Sequence, residues 1–182
     1  VNIPNLLTLM RIVLIPVLMI LFIQGEFVLA LLVFTAAGVT DALDGLLARW
    51  LHQKTRIGAI LDPLADKLLL TTSYVTLAVI GLLPDWLAVM VISRDVIIVV
   101  GVLILSLLQV RVEIRPSVLG KLTTLAQLGT IFFVLLHHES GWGNGFIQAL
   151  FHATAGVTAG SGLHYMYLGV RLLGSVDNGE TS

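Results

Sequence analysis

"DALDGLLARWLHQKTRIGAILDPLAD", residues 41–66, sets four aspartates, Asp41, Asp44, Asp62 and Asp66, between two apolar runs. The chain around them has 182 residues, 57% of them hydrophobic and 12% charged. A soluble protein carries about 25% charged residues. Runs of roughly 18 or more nearly uncharged residues recur, which is the pattern of a helix that crosses a membrane. Working outward from the quoted stretch, helices are expected over about Leu6–Ile23, Phe27–Trp50, Ala59–Ile80, Trp86–Leu108, Val118–Leu136 and Phe146–Leu173. The expected fold is an all-α integral membrane protein, a bundle of six transmembrane helices. Alternating apolar and polar decads, the mark of a membrane barrel, are absent. Residues 1–175 are expected to form one domain and residues 176–182 a disordered tail.

Charge distribution predicts orientation. Arg49, Lys54 and Arg56 fall at the second-to-third connection, Arg111, Arg115 and Lys121 at the fourth-to-fifth, and Arg11 and Arg171 near the two ends. The other three connections carry Glu26, Asp85 and Glu139 and no Lys or Arg. The positive-inside rule then puts both termini in the cytoplasm, or in the matrix of an organelle. A bacterial inner membrane is the expected location, with a mitochondrial inner membrane second. The first apolar stretch is too long for a signal-peptide core and no small-residue cleavage site follows it. There is no cysteine, which removes disulfides, zinc–thiolate sites and thiol catalysis. A net charge of -1 offers no basic stripe for nucleic acid. Gly156 and Gly160 in "GVTAG" form a small-residue face suited to close helix contact, within the chain or between copies. His152 and His164 read as packed or hydrogen-bonded residues, with no carboxylate near them in sequence.

Asp41 and Asp44 are three apart and Asp62 and Asp66 four apart, so each pair shares one face of its helix. The short polar connection predicts that these two helices are antiparallel neighbours. The pairs then come to a common depth, on the order of 10 Å from the turn. Each charge at membrane depth costs at least about 2.5–3.5 kcal/mol on insertion scales. Like charges also raise one another's pKa. Divalent cations resolve both problems. Oxygen-only ligands suit Mg²⁺, Mn²⁺ or Ca²⁺ rather than zinc or copper, and four carboxylates suffice for two ions clamping a phosphoryl group. Gly45 lets a ligand approach the helix. Arg49 has the guanidinium to hold a phosphate, or simply snorkels to the interface. Gly58 opens the third helix, and Pro63 fits its first turn if that helix starts near Leu61. A proton relay or cation transporter is the other reading of clustered intramembrane acids. An EF-hand is excluded by spacing.

The eight fixed positions Asp41, Asp44, Gly45, Ala48, Arg49, Gly58, Asp62 and Asp66 follow D-x2-D-G-x2-A-R-x8-G-x3-D-x3-D. This resembles the signature of the CDP-alcohol phosphotransferases. Membrane prenyltransferases also use Asp-rich helices, but lack the D-G-x2-A-R continuation. The resemblance implies a six-helix membrane bundle, a homodimer, and two divalent cations, Mg²⁺ or Mn²⁺, held by Asp41, Asp44 and Asp62 with Asp66 touching one. It implies that Asp66 is the general base for an acceptor hydroxyl that attacks CDP-diacylglycerol and releases CMP. Gly45, Ala48 and Arg49 would line the CDP site, joined by Thr55 and by Asn5 and Thr8 of "NLLT".

Two branches of the family fit, one with phosphatidylglycerol as acceptor and cardiolipin as product, the other with glycerol 3-phosphate. "IPNLLTLMRIVLIPVL", "LDPLADKLL", "ISRDVIIVV" and "RPSVLGKLTTLAQL" resemble the first. The second usually carries an arginine–glutamate pair in the fourth helix and a further arginine two turns on. Here the pair is Arg94-Asp95 and "VVGVLILSLL" follows. Arg94, Arg115 and Lys121 are the candidates for the acceptor phosphate.

Overall fold

The computed structural model describes residues 3–50, 58–107, 118–141 and 143–177; for 3–7, 41–50, 58–60, 106, 140, 144 and 173–177 only the backbone course is considered. The fold is all-α. The helices are α1 (Ile3–Gln24), α2 (Phe27–Trp50), α3 (Gly58–Val79), α4 (Asp85–Leu107), α5 (Val118–Ser140) and α6 (Asn144–Asp177). Three of the connections are tight turns. Gly25, Gly81 and Gly141 adopt φ of 76°, 80° and 66° there, the left-handed region that glycine enters without a Cβ penalty. Each of these turns folds one helix back on the next, giving three hairpins.

Side-chain pairs fix the directions. Thr8 with Asp62 and Arg11 with Asp66 run α1 parallel to α3. Trp86 with His152 and Arg94 with Ser161 run α4 parallel to α6. Thr123 with Val157 and Thr130 with Thr154 run α5 antiparallel to α6. All three glycine turns therefore lie at one end. The apolar core fills that end: Leu18 and Phe22, Phe34, Tyr74 and Leu77, Leu87 and Val91, Ile131 and Leu135, and Phe151 draw on every helix. The other end is polar and holds the site.

The expectation that all six helices cross a membrane is corrected. Among the described residues, two are long and apolar enough, over Asp85–Leu105 and Val118–Glu139; the apolar stretches Thr8–Gln24 and Phe27–Thr40 are shorter. Asp62, Asp66 and Lys67 interrupt α3, and α6 is diluted by glycine, threonine, serine and histidine. Only 28% and 33% of the two long apolar stretches are buried inside the structure. A core helix of a soluble protein would be mostly buried; these point Val96, Val99, Leu103, Leu122 and Leu125 outward. Exposed apolar surface of this kind is consistent with a membrane protein.

One local expectation also changes. Pro63 lies inside α3, which starts at Gly58 rather than near Leu61. One missing N–H near the start of a helix does not stop it. Among the described residues, α3 packs on α1, α4 and α5; the side chains of residues 41–50 and 58–60, where the sequence expects α2 and α3 to be antiparallel neighbours, lie outside them. Gly156 and Gly160 are exposed, His152 stacks on Trp86, and His164 sits edge-on to Tyr165.

Buried hydroxyls join α5 to α6. Thr130 and Thr154 meet at 2.7 Å, and the Gln127 amide donates to Thr158 at 3.4 Å. Thr130→Val is expected to lower stability by about 1 kcal/mol in a denaturation titration, the scale of one interhelical hydrogen bond. Adding Thr154→Val should recover part of that loss, because no orphaned hydroxyl then remains. An unchanged midpoint for the single variant would show the pair contributes nothing.

Candidate functional site

At the polar end, α1 meets α3 through donors facing acceptors. The Thr8 hydroxyl donates to Asp62 Oδ1, and Arg11 Nη1 donates to Asp66 Oδ1 at 2.7 Å. The periodicities explain the match. Thr8 and Arg11 are three apart on α1, and Asp62 and Asp66 four apart on α3, so each set lines one face. Arg11 is 4% exposed and Asp66 41%. The guanidinium is thus sealed in the bundle, while the carboxylate it holds stays open to a ligand.

Beside Asp66 in sequence, Lys67 reaches α4: its Nζ and Arg94 Nη1 each lie 2.7 Å from Asp95 Oδ1. Arg94 also donates to Ser161 Oγ from Nε at 3.3 Å and Nη2 at 2.9 Å. Its Cζ is 5.7 Å from the centre of the Tyr165 ring, within cation–π reach. Asp95 on α4 and Ser161 and Tyr165 on α6 thereby fix the plane of one guanidinium. Partners this complete are what allow a charge to be buried.

Asp66 opens onto two spaces. A small one, about 80 Å³, lies between it, Arg11, Gly38 and Thr124. A larger one, about 350 Å³, is walled by Asp66, Lys67, Arg94, Lys121, Gln127 and Tyr165, among others. The Asp66 carboxylate therefore stands between a pocket on the α2 side and a cavity bordered by Lys67, Arg94, Lys121 and Asp95, the last paired with Lys67 and Arg94. The larger space is a polar cavity in which charged side chains of α3, α4 and α5 meet.

The structure brings Asp66, Arg94 and Lys121 to that cavity and Asp62 to the α1–α3 seam. Thr8, expected at the nucleotide, is buried there with Asp62. Asp41, Asp44, Gly45, Ala48 and Arg49 fall on α2, and Asn5 on α1, but their side chains lie outside the described residues. Thr55 and Arg115 lie wholly outside them. Among the described residues no three carboxylates, imidazoles or thiols gather closely enough to hold a metal; two of the four aspartates are not in that set. Sequence reasoning missed Arg11 as a partner of Asp66, and Lys67 altogether. A signal existed for Arg11: it is the lone charge in the first 23 residues. An isolated charge inside an apolar helix calls for a partner.

Residues 1–160 match the family described as CDP-alcohol phosphatidyltransferase. The chain belongs to that family of transferases. It is 35% identical over 185 residues to the "Cardiolipin synthase (CMP-forming)" of Rattus norvegicus, covering 92% of this chain and 61% of the rat protein. The Homo sapiens protein of the same name is also 35% identical, with 92% and 62% covered. The "CDP-diacylglycerol--glycerol-3-phosphate 3-phosphatidyltransferase" of Shigella flexneri is 37% identical over 171 residues, with 91% and 93% covered. The chain thus spans about three-fifths of the length of the two animal relatives.

Proposed function

We propose that this protein transfers the phosphatidyl group of CDP-diacylglycerol to the hydroxyl of phosphatidylglycerol, forming cardiolipin and releasing CMP. The observation that carries this reading is Asp66. It ends the eight-position signature and also borders the cationic cavity of α3, α4, α5 and α6. In this reading the cavity receives the acceptor. Arg94, Lys121 and Lys67 hold its phosphate, with Arg115 as a further candidate. The Asp66 carboxylate takes the proton from the acceptor hydroxyl. The oxygen then attacks the β-phosphorus of the donor, and the bond from that phosphorus to the bridging oxygen breaks, leaving CMP with the electron pair. Gly45, Ala48, Arg49, Asn5, Thr8 and Thr55 belong to the nucleotide side.

The donor set fits two divalent cations. Asp62 and Asp66 are oxygen-only ligands one turn apart on α3, and Asp41 and Asp44 share the α2 signature. Such ligands suit Mg²⁺ or Mn²⁺. Bound there, the ions would neutralise the diphosphate and stabilise charge on the departing group. EDTA is expected to stop CMP release, and Mg²⁺ or Mn²⁺ to restore it; full turnover in metal-free buffer would remove the ions from the reading. A homodimer in the bacterial inner membrane, with the site on the cytoplasmic side, completes the proposal. The support is the resemblance for the dimer and the Lys and Arg distribution for the side.

The second reading replaces phosphatidylglycerol by glycerol 3-phosphate. The 37% identity to the Shigella enzyme over nearly its whole length favours it. The deciding experiment supplies the purified protein with CDP-diacylglycerol, Mg²⁺ and each acceptor separately. Cardiolipin as product supports the first reading and phosphatidylglycerophosphate the second. Absence of CMP with both would sink phosphatidyl transfer altogether.

A further inference from the structure

Asp95 Oδ1 accepts from two cations on different helices, Lys67 Nζ of α3 and Arg94 Nη1 of α4, each at 2.7 Å. The two nitrogens are therefore at most twice that distance apart. The two contacts differ in what they do for the fold. Arg94 is buried, and Asp95, Ser161 and Tyr165 all serve its charge. Its stem also lies along α6: a Cβ added at Gly162 would be 3.6 Å from Arg94 Cγ. Lys67 is 38% exposed, so its ammonium has little burial to offset. An ion pair to so exposed a lysine contributes little stability. What Asp95 does for Lys67 is to fix it. A lysine ammonium ends a flexible stem, which gives up rotamer freedom when it is held.

The product is a pair of cations in the wall of the Asp66 cavity, which Lys67, Arg94, Asp95 and Lys121 all line. One carboxylate against two cations leaves the group positive, while Arg11 offsets Asp66 from the α1 side. Each Nη of Arg94 carries a second N–H that Asp95 and Ser161 do not take. The Lys67 ammonium likewise has N–H groups beyond the one aimed at Asp95. Without Asp95, two like charges this close would repel, and Lys67 would turn to water.

We propose that Asp95 is a positioning residue for the acceptor's phosphate: it holds the Lys67 ammonium beside the fixed Arg94 guanidinium, so that the two grip one phosphate from α3 and α4 together. The phosphate is a diester in a phospholipid acceptor and a monoester in glycerol 3-phosphate, and the pair serves either. Asp95 acts through its two partners and does not itself touch the phosphate, whose charge it would repel. The lysine's freedom is already lost before the acceptor arrives, which is how preorganisation raises affinity. This inference rests on the phosphatidyl-transfer reading above and deepens it, assigning a task to an acid that the signature does not contain.

The test is a double-variant cycle read on the acceptor. Asp95→Asn, Asp95→Glu, Lys67→Met, and Asp95→Asn combined with Lys67→Met are made in the full chain. CMP release is followed in mixed micelles with Mg²⁺ while CDP-diacylglycerol and the acceptor are varied in turn. The acceptor is whichever of phosphatidylglycerol and glycerol 3-phosphate the wild type uses. Asp95→Asn and Lys67→Met should each raise the acceptor KM about tenfold, the scale of one charge-assisted hydrogen bond, with donor KM and kcat within about twofold. The double variant should show one such rise and not the product of two, because residues that act through one another are not additive. Asp95→Glu keeps the charge and should restore the acceptor KM to within a few-fold of wild type. Multiplied effects in the double variant, an unchanged acceptor KM in Asp95→Asn, or equal rises for donor and acceptor each overturn the inference. If Asp95→Asn does not fold, Lys67→Met decides: an unchanged acceptor KM overturns the inference, and a rise confined to the acceptor supports it. Wild-type protein that releases no CMP with either acceptor overturns the transfer reading and this inference together; the other adverse results leave that reading standing.

Discussion

Replacing Asp66 with asparagine is expected to lower kcat by about 10³-fold, within the range of about 10²–10⁴ that a positioned general base supplies. The amide keeps the shape of the carboxylate and can still accept a hydrogen bond from Arg11, so the α1–α3 seam is preserved. What it cannot do is take the acceptor's proton. Affinity for CDP-diacylglycerol should therefore fall only a few-fold, as read by equilibrium binding to the purified variant. A thermal melt run in parallel separates chemistry from folding, since Arg11 is buried and its charge relies on partners. Retained turnover would remove Asp66 as base. Loss of donor binding by more than about tenfold would recast it chiefly as a ligand of the metal–diphosphate group.

The second large effect is expected at Arg94. Arg94→Ala removes the guanidinium that Asp95, Ser161 and Tyr165 hold in one plane. Asp95 keeps Lys67 as a partner, so the variant does not leave a bare buried charge and should fold. The acceptor KM should rise about 10- to 100-fold, the loss of one charge-assisted hydrogen bond of about 1.5–3 kcal/mol. The donor KM should not move. Arg94→Lys should recover little, because one ammonium cannot reach Asp95 and Ser161 together and lacks the planar fork. Equal loss of donor and acceptor affinity would show that Arg94 shapes the bundle rather than the acceptor cavity.

Helix positions were the most legible part of the sequence. Gly25, Gly81 and Gly141 mark helix ends because a left-handed residue is a local requirement, and the expected and observed starts and ends differ by a few residues. The number of membrane crossings was not legible from apolar content alone. The acids of α3 and the small polar residues of α6 lower the hydropathy of helices that long apolar runs had suggested. Within the site, the spacing of Asp62 and Asp66 was visible, since i and i+4 share a helix face. Their partners were not. Arg11 meets Asp66 across 55 residues and Arg94 meets Ser161 across 67. No local pattern encodes such pairings; they follow from which helices run side by side. Lys67 was hidden for a related reason: its partner, Asp95, is on another helix.

The three glycine turns divide the chain into three hairpins, and each contributes residues to the polar end. Thr8 and Arg11 come from the first, Asp62, Asp66 and Arg94 from the second, and Lys121, Ser161 and Tyr165 from the third. A ribosome therefore delivers the whole aspartate signature before it delivers the last wall of the cavity. The nascent chain carries all four aspartates before the α5–α6 hairpin that closes the cavity has been made.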